Sequence, residues 1–338
     1  MINTLIVDDS ALARDILRDF LEEDGNFNII GEAADGEEAV REILALNPDL
    51  VTLDLEMPKM NGLEVIEAVM KRVSVPIVVI SSHDNAKTAY EATLKGALEF
   101  YSKDLFTAKL NPEKRKEIYE TLKRISGIKS PRSIPITEPL QITQPAKRII
   151  RSVVLASSTG GPRALSRFFS HLAADFSVPI VIVQHNSPGF DESFAQWLGV
   201  FTALKVKLAE DGENPRPGTV YIAKTGKHIE LLLTDTEDPV LRYNNGVPEN
   251  NQKPAADVLF RSAAESLKSS VISVVLTGMG NDGAAGTRKI REMGGITLAQ
   301  DEKSSLIYGM PKAAAETGCV DMVLPLDRIP GELTRLTK

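Results

Sequence analysis

The sequence has a single cysteine, Cys319, and only four histidines among its 338 residues. One cysteine cannot form an intramolecular disulfide, and it excludes zinc sites built from clustered cysteines. No apolar run approaches the roughly 18 residues that a membrane-spanning helix needs. The N-terminal residues also lack the basic stretch and the small-residue cleavage site of a signal peptide. We therefore expect a cytoplasmic protein that is not inserted into a membrane.

A general excess of basic residues is also missing, and the net charge is −7. Residues 1–104 hold 9 Lys and Arg against 21 Asp and Glu, a charge of −12, whereas residues 151–338 hold 20 against 21, a charge of −1. Only residues 105–150 are basic, with 10 against 4, and a solvated helix and linker explain such a stretch best. Because neither large segment offers a basic face, we do not expect a nucleic acid as partner.

Residues 1–126 alternate short apolar runs with segments of helical periodicity. Continuous apolar runs are typical of strands that are buried on both faces of a parallel sheet. The helical segments between the runs, with a last helix near Pro112–Ile125, favour a doubly wound, flavodoxin-like α/β domain with a five-stranded parallel sheet. The five predicted strands are Leu5–Val7, Phe27–Ile30, Leu50–Leu53, Val75–Ile80 and Ala97–Tyr101.

Residues 127–148 contain four prolines and little periodicity, which predicts an extended linker. A second α/β domain, Rossmann-like and mostly parallel, is predicted over residues 149–338 because apolar runs again alternate with helical segments. Between Lys205 and Tyr243 short runs are separated by Gly, Pro and Asp turns, and we expect an antiparallel excursion there. The parallel strands are expected at Ser152–Ala156, Pro179–Gln184, Val271–Leu276, Ile296–Ala299 and Val320–Leu324.

Polar side chains follow the strands of the first domain at the point where each strand ends. They are Asp8 and Asp9 after the first strand, Asp54 after the third, Ser81 after the fourth and Lys103 after the fifth. Because the carboxyl ends of parallel strands share one edge of a sheet, we expect these side chains to meet. Asp8, Asp9 and Asp54 favour a Mg²⁺ site, since this ion prefers oxygen ligands and neutralises the repulsion between carboxylates. Ser81 and Lys103 can contact a phosphoryl group, so the set suits phosphoryl transfer to a carboxylate.

At this point the first domain resembles the receiver domain of two-component response regulators. The resemblance is carried by Val7–Ser10, Asp54–Gly62, Ser81 and Lys103. It implies that Asp54 is phosphorylated by a histidine kinase, with Asp8 and Asp9 in the Mg²⁺ site. The family usually has proline after the lysine, where this chain has Asp104.

The second domain contains the segment Gly278-Met-Gly-Asn-Asp-Gly283, which can be interpreted in two ways. As G-x-G-x-x-G between a strand and a helix, it is the turn that holds a dinucleotide pyrophosphate. That interpretation predicts an acidic residue about 20 positions past the glycines, and Asp301 lies near that place. The same turn also delivers the carboxylate of Asp282 to the end of a buried strand, where α/β enzymes place catalytic groups. The motif alone allows a dinucleotide-binding oxidoreductase or a hydrolase.

A hydrolase needs a nucleophile and a base at neighbouring strand ends. Ala156-Ser-Ser-Thr-Gly-Gly161 places hydroxyl groups at a strand-to-helix turn, near backbone amides and the positive end of a helix dipole. Among the four histidines only His185 ends a predicted buried parallel strand. Its imidazole can reach such a hydroxyl, and Asp282 can hold the imidazole in the productive tautomer.

The hydrolase is favoured over the dinucleotide binder. Asp282 lies inside the glycine turn, where its charge would repel a pyrophosphate. The turn also lies late in the domain, whereas the dinucleotide turn usually opens it. Finally, a dinucleotide would leave His185 and the hydroxyl-bearing turn unexplained.

The second domain resembles the catalytic domain of the chemotaxis protein-glutamate methylesterases (CheB), and receiver, linker and catalytic domain follow that family's order. The resemblance implies hydrolysis of glutamate γ-methyl esters on methylated chemoreceptors, with release of methanol, and deamidation of receptor glutamines. It implies no cofactor for the ester reaction. It is carried by Ser157–Gly161, Gln184–His185, Pro188–Phe190, Ala209–Gly212, Tyr221–Ala223 and Leu276–Gly286.

The register of these motifs assigns roles to individual residues. It makes Ser158 the nucleophile, His185 the base and Asp282 the group that orients the base. The backbone amide of Met279 is implied as an oxyanion donor. The family usually reads Gly-Ala before this serine, where the chain has Ala156-Ser157, so Ser157 is the neighbour against which the assignment is to be tested.

The resemblance further implies that the unphosphorylated receiver packs over the active-site face of the catalytic domain and that phosphorylation of Asp54 releases it. Two other classes of protein remain as alternatives. One is a non-catalytic signalling adaptor that binds a receptor or a kinase. The other is a transcriptional regulator, which is less favoured because the second domain is α/β and not basic.

Overall fold

The computed structural model describes residues 1–82, 86–107, 110, 112–128 and 149–338, except for the side chains of residues 86 and 87. The chain divides into two compact units, Met1–Arg132 and Ser133–Lys338. Most of the predicted linker, residues 127–148, lies outside the described residues. The domain boundaries at 126 and 149 therefore stay predictions.

The first unit has one parallel sheet in the order β2-β1-β3-β4-β5, which confirms the predicted five-stranded, flavodoxin-like domain. Every strand end lies within two or three residues of the position expected from the apolar runs. Its elements are β1 (Ile2–Val7), α1 (Ala11–Glu23), β2 (Phe27–Ala33), α2 (Gly36–Leu46), β3 (Leu50–Leu53), α3 (Gly62–Met70), β4 (Ile77–Ser81), α4 (Ala86–Lys95), β5 (Glu99–Ser102), α5 (Asp104–Thr107) and α6 (Pro112–Ser126).

Helix caps fix where the loops of this unit end. Ser10 caps α1 by accepting a hydrogen bond from the amide of Ala13, and Asp35 caps α2 in the same way. At α3, Asn61 and Glu64 form a reciprocal capping box. Such caps stabilise a helix by about 1 kcal/mol each. Two or three residues connect strand to helix after β1 and β2, and residues 54–61 make a longer connection after β3.

The second unit has a seven-stranded sheet in the order β14-β13-β12-β6-β7-β9-β8 and a separate hairpin of β10 and β11. All pairings in the large sheet are parallel, and the hairpin is antiparallel. Its elements are β6 (Ser152–Ser157), α7 (Gly161–His171), β7 (Ile180–Gln184), α8 (Asp191–Leu198), β8 (Lys205–Leu208), β9 (Thr219–Ile222), β10 (His228–Leu233), β11 (Pro239–Asn244), α9 (Ala256–Leu267), β12 (Val271–Val275), α10 (Ala284–Glu292), β13 (Ile296–Gln300), α11 (Met310–Glu316), β14 (Met322–Leu324) and α12 (Ile329–Thr337).

The mostly parallel sheet with an antiparallel excursion is confirmed, but the excursion is shorter than predicted. The prediction of antiparallel pairing from Lys205 to Tyr243 is wrong for its first half, because β8 and β9 pair in parallel at one end of the large sheet. Glycine and proline turns here do not close a hairpin. The loop between these two strands, residues 209–218, instead returns the chain to the starting end of the sheet, as a parallel connection requires.

The core of the second unit lies between the large sheet and α9, α10 and α11, and the hairpin contributes to it. Val154, Val181 and Val275 lie in the large sheet, and Leu231 comes from the hairpin. Burial of an aliphatic side chain of this size stabilises a fold by roughly 1.5–3 kcal/mol. A well-packed core directly beneath the central strands holds their carboxyl ends in fixed positions. In the described part of the chain, no helix combines the length and the apolar character required to cross a bilayer.

Candidate functional sites

The acidic side chains of the first unit meet at the carboxyl edge of its sheet. One carboxylate oxygen each from Asp8, Asp9 and Asp54 lies within 4.8 Å of the others. The Lys103 ammonium lies 2.7 Å from Asp8 Oδ2 and 2.7 Å from Asp54 Oδ2. Ser81 is buried at the end of the adjacent strand, where its carbonyl accepts a hydrogen bond from the amide of Lys103. The five side chains predicted to share this edge therefore do so.

The electrostatics of this cluster are those of a charge that is only partly compensated. Burial raises the pKa of Asp54, although the Lys103 ammonium opposes the rise. Burial alone would lower the pKa of Lys103, but its hydrogen bonds to Asp54 and Asp8 outweigh this and raise it. One cation thus faces several carboxylates. Three converging oxygen donors of this kind fit a hard divalent cation such as Mg²⁺.

In the second unit, three neighbouring central strands carry the predicted catalytic side chains. The sheet order places β6 between β12 and β7. Ser158 directly follows β6, His185 follows β7, and Asp282 lies in the loop after β12. Backbone hydrogen bonds continue past the strands, because the amide of Ser158 donates to the carbonyl of Thr277 and the amide of His185 donates to that of Ser157. Three distant parts of the sequence are therefore held at one edge.

The imidazole of His185 bridges the outer two of these strands. Its Nε2 lies 2.9 Å from Asp282 Oδ2, and both side chains are at least nine-tenths buried. An imidazole that extends from the end of β7 to the carboxylate beyond β12 passes the end of β6, where Ser158 lies. Its other nitrogen, Nδ1, is buried and has no hydrogen-bond partner among the described residues. With the Nε2 proton donated to the carboxylate, Nδ1 carries the basic lone pair.

The two adjacent serines have different surroundings. Ser157 is fully buried, and its hydroxyl donates to Gln184 Oε1 at 2.6 Å. Gln184 Nε2 in turn donates to the carbonyls of Ser158 and His185, which ties the ends of β6 and β7 together. Ser158 retains 8% of its surface. The geometry gives Ser157 a structural partner and leaves Ser158 nearer to solvent.

Asp282 has an unusually complete set of hydrogen-bond donors. Its Oδ2 accepts from the amide of Ala256 in addition to His185, and its Oδ1 accepts from the amides of Asp257 and Gly283. The first two of these amides open α9, so the positive end of that helix faces the carboxylate. Burial opposes ionisation of Asp282, but these hydrogen bonds outweigh it and hold the pKa below its ordinary value. The carboxylate is therefore stable as an anion beside the imidazole.

The turn that begins at Gly278 lies against Ser158. A Cβ at Gly278 would be 2.3 Å from the sulfur of Met310 and 2.8 Å from Ser158 Cβ, so only glycine fits. The carbonyl of Gly278 accepts hydrogen bonds from the amides of Gly309 and Met310, which fixes the peptide that leads to Met279. The predicted oxyanion donor is thus part of a backbone turn in close contact with the serine.

The hydrogen bonds around this turn argue against the dinucleotide interpretation. A pyrophosphate would need the amides at the start of the following helix. In α10 the amide of Gly286 instead donates to Asp257 Oδ1 at 2.6 Å. Asp301, the acidic residue that this interpretation required, accepts hydrogen bonds from the amide and hydroxyl of Ser304. The buried carboxylates of Asp257 and Asp282 accept from the amides of Gly286 and Gly283, and their charge would repel a pyrophosphate at this turn.

Sequence reasoning missed two residues of this site, Asn250 and Asp257. Asn250 Nδ2 donates to Asp257 Oδ2 at 2.8 Å and to Asp282 Oδ1 at 3.1 Å. Burial raises the pKa of Asp257, and the charge of Asp282 contributes to the rise. An acidic residue in the first turn of a helix is common for electrostatic reasons, and Asn250-Asn251 has the composition of a turn. Nothing local in the sequence therefore separates them from ordinary cap and turn residues.

Comparison with known proteins agrees with this geometry. A family model described as CheB methylesterase matches residues 153–333, and one described as response regulator receiver domain matches residues 4–112. The protein-glutamate methylesterase/protein-glutamine glutaminase of Pyrococcus horikoshii is 40% identical, covering 97% of this chain and 92% of the relative. The enzyme of that description from Thermotoga maritima is 37% identical, covering 99% and 98%. The crystal structure of the Thermotoga maritima CheB methylesterase catalytic domain is 42% identical with a TM-score of 0.54, covering 55% of this chain and 98% of that domain. The chain therefore belongs to the CheB methylesterase family.

Proposed function

We propose that this protein is a phosphorylation-activated serine hydrolase of the cytoplasm. It removes methyl groups from glutamate γ-methyl esters of chemoreceptors and deamidates receptor glutamines. The observation that carries the proposal is the buried His185–Asp282 pair, which leaves His185 Nδ1 unpaired among the described residues, with His185 directly after β7 and Ser158 directly after the neighbouring β6. The printed descriptions of the relatives from Pyrococcus horikoshii and Thermotoga maritima support the two activities.

In the proposed reaction the Ser158 hydroxyl attacks the γ-carbonyl carbon of the substrate while His185 Nδ1 accepts the hydroxyl proton. Asp282 stabilises the imidazolium that forms. The imidazolium then donates that proton to the leaving oxygen, so methanol departs and an acyl-enzyme remains. Water, activated by the same nitrogen, hydrolyses the acyl-enzyme and restores the serine. With a glutamine substrate the leaving group is ammonia.

The negative oxygen of the tetrahedral intermediate needs a donor. The backbone amide of Met279 is the proposed donor, and the fixed Gly278 peptide supports this role. A preorganised donor acts without reorganisation at the moment of reaction. In other hydrolases, removal of one oxyanion donor lowers kcat by about 10² to 10³.

The receiver supplies the proposed control. An oxygen of Asp54 attacks the phosphorus of a phosphohistidine on a partner kinase, while Lys103 and Ser81 contact the phosphoryl oxygens. Asp8, Asp9 and Asp54 would hold Mg²⁺, which when bound neutralises charge on the transferred group. Phosphorylation converts a carboxylate paired with Lys103 into a bulkier dianionic group. That change is the proposed signal to the esterase domain.

Methanol release from methylated chemoreceptor membranes tests the esterase activity directly. The Ser158→Ala variant should lose the activity, while the Ser157→Ala variant should retain most of it, because its hydroxyl only bonds to Gln184. The reverse result would shift the nucleophile by one residue. An unmodified protein that binds the membranes without releasing methanol would favour the adaptor instead.

The control by phosphorylation is tested by measuring the same rate with and without a small phosphodonor and Mg²⁺. We expect a higher rate with the phosphodonor, and no increase in an Asp54→Asn variant. Equal rates with and without phosphodonor in the wild-type protein would contradict the proposed control by phosphorylation. The proposed esterase activity would be unaffected.

A further inference from the structure

The segment before α9 brings an amide to two buried carboxylates. Asn250 has a left-handed backbone with φ of 52°, and its Nδ2 donates to both Asp257 Oδ2 and Asp282 Oδ1. Both aspartates are only 2% exposed, whereas Asn250 itself is at the surface. The asparagine therefore covers the carboxylate pair on its solvent side.

Each of the two aspartates also accepts hydrogen bonds from the first turn of the other's neighbouring helix. Neither α9 nor α10 has a side-chain cap from its own N-cap residue. Asp282, which precedes α10, accepts from the amides of Ala256 and Asp257 in α9. Asp257, in the first turn of α9, accepts from the amide of Gly286 in α10. Each helix is therefore anchored by a carboxylate from the other, and a shift of either helix moves Asp282 relative to His185.

The helices are close enough to make this coupling stiff. A Cβ at Gly286 would lie 2.4 Å from Phe260 Cβ and 3.2 Å from Asp257 Oδ1. Glycine at this position lets α10 approach α9 until the Gly286 amide reaches the carboxylate. The contact leaves little space in which Asp257 could change its orientation.

The segment that carries Asn250 is anchored on both sides. His228 Nε2 donates to the carbonyl of Val247, and His228 Nδ1 accepts from the amide of Ala255. Between them, Arg261 forms a two-point ion pair with Glu249, with both distances at 2.5 Å. The Asn250 amide is thus held in place by contacts of its flanking segment that do not involve the catalytic side chains.

We propose that Asn250 and Asp257 are positioning residues, which hold Asp282 in the orientation that lets its Oδ2 accept a hydrogen bond from His185 Nε2. The proposal rests on the hydrolase function proposed above. Asn250 and the amides of Asp257 and Gly283 all donate to Oδ1, and this directs Oδ2 to His185 and to the amide of Ala256. Loss of the Asn250 side chain removes one of the three donors to Oδ1, which holds the carboxylate less firmly, and it exposes the carboxylate to water.

The first test is Asn250→Gly in the full-length protein, because glycine tolerates the left-handed backbone and the substitution removes the amide donor. We expect kcat for methanol release to fall about tenfold with little change in KM, since the lost hydrogen bond acts on a charged group. The rate at which a sulfonyl fluoride modifies Ser158 should fall in parallel, because it reports activation of the hydroxyl by His185. Asn251→Gly is the matched control, since Asn251 also has a positive φ, and the hydrogen bonds of Asp282 within the described residues do not include Asn251.

A second test separates positioning from stability. Asn250→Asp places a carboxylate against both aspartates and should lower Tm as well as kcat. The double variant N250D/D257N restores a donor–acceptor pair between positions 250 and 257, but it still presents a carboxylate to Asp282. We expect Tm to recover in the double variant while kcat and the sulfonyl fluoride rate stay low.

Two results would overturn the proposal. One is wild-type kcat in folded Asn250→Gly protein, and the other is recovery of kcat together with Tm in the double variant, which would make the role merely structural. Failure of the underlying hydrolase function looks different. In that case the unmodified protein itself releases no methanol and its Ser158 does not react, and both proposals fall together.

Discussion

The protein contains two clusters of carboxylates at sheet edges. They differ in how far protein groups compensate their negative charge. In the receiver, Asp8, Asp9 and Asp54 converge with Lys103 bridging two of them, and burial raises the pKa of Asp54. In the esterase domain, Asp282 receives five hydrogen bonds, and its pKa is lowered. The first cluster leaves negative charge uncompensated, and the second compensates it with backbone amides, an asparagine and an imidazole.

This difference agrees with the role proposed for each cluster. A site that must bind a divalent cation and a phosphoryl group cannot be saturated by protein donors beforehand, since they would compete with both. A carboxylate that must orient an imidazole through every turnover benefits from permanent donors, because it then needs no reorganisation. In the proposed function, aspartates of the receiver bind a cation and a phosphoryl group that come and go, whereas Asp282 keeps an imidazole in one fixed orientation.

The largest expected effect comes from removing the charge of the saturated cluster. Asp282→Asn should lower kcat for methanol release by about 10⁴, because the amide no longer favours the productive imidazole tautomer. KM should change little. Phosphate incorporation at Asp54 should be unaffected, since it uses the other cluster.

Asp301→Asn is the matched control for this variant. Asp301 is the acidic residue that a dinucleotide-binding site would have required, but its contacts are with Ser304. We expect nearly normal kcat. An equal loss in both variants would mean that the effect of Asp282 is not specific to the catalytic imidazole.

A smaller effect is expected from the unsaturated cluster. Lys103→Met removes the ammonium that bridges Asp8 and Asp54 and leaves their carboxylates with one less positive charge. Mg²⁺ should then bind about tenfold more tightly, because its attraction to the carboxylates is no longer opposed by a nearby cation. Isothermal titration calorimetry measures the change. Lys71→Met is the control, since Lys71 is 74% exposed and pairs only with Glu67 among the described residues. Equal Mg²⁺ affinity in the two variants would contradict the assigned charge balance.

The sequence predicted most of the strand ends, and with them most of both sites. Continuous apolar runs mark buried parallel strands, and such strands present the residues that follow them at a common edge. For this reason Asp54, Lys103 and His185 could be named from their positions after predicted strands, and Asp282 from the glycine turn that follows one. Their carboxyl-edge location needed no knowledge of the strand order.

Long-range pairing could not be predicted in the same way. The order that places β6 between β12 and β7, and the parallel pairing of β8 with β9, depend on crossovers whose direction no local pattern encodes. Asn250 and Asp257 lie 32 and 25 residues from Asp282 in the sequence. Their roles arise from the packing of α9 against α10, and each has an adequate local explanation as a turn or cap residue.

The smallest expected effect is on folding stability. The contributions of Asp282 and Asp54 to the free energy of unfolding should change in opposite directions as pH changes. The lowered pKa of Asp282 means that its stabilisation is complete above its ordinary pKa of 3.8 and is lost as pH falls through the folded-state value. The raised pKa of Asp54 means the opposite, because its contribution is complete below 3.8 and is lost as pH rises through the folded-state value. Without Mg²⁺, Asp54→Asn should therefore stabilise the receiver at pH 7, with the gain disappearing toward about pH 4. Asp282→Asn should instead destabilise the esterase domain at pH 7, with the deficit shrinking only below about pH 4.

Urea unfolding followed by fluorescence of the single tryptophan, Trp197, reports the esterase domain, and hydrogen exchange of β1 and β3 reports the receiver. If both substitutions lower the free energy of unfolding at pH 7, the negative charge of the two clusters is compensated to a similar degree, and the comparison is wrong.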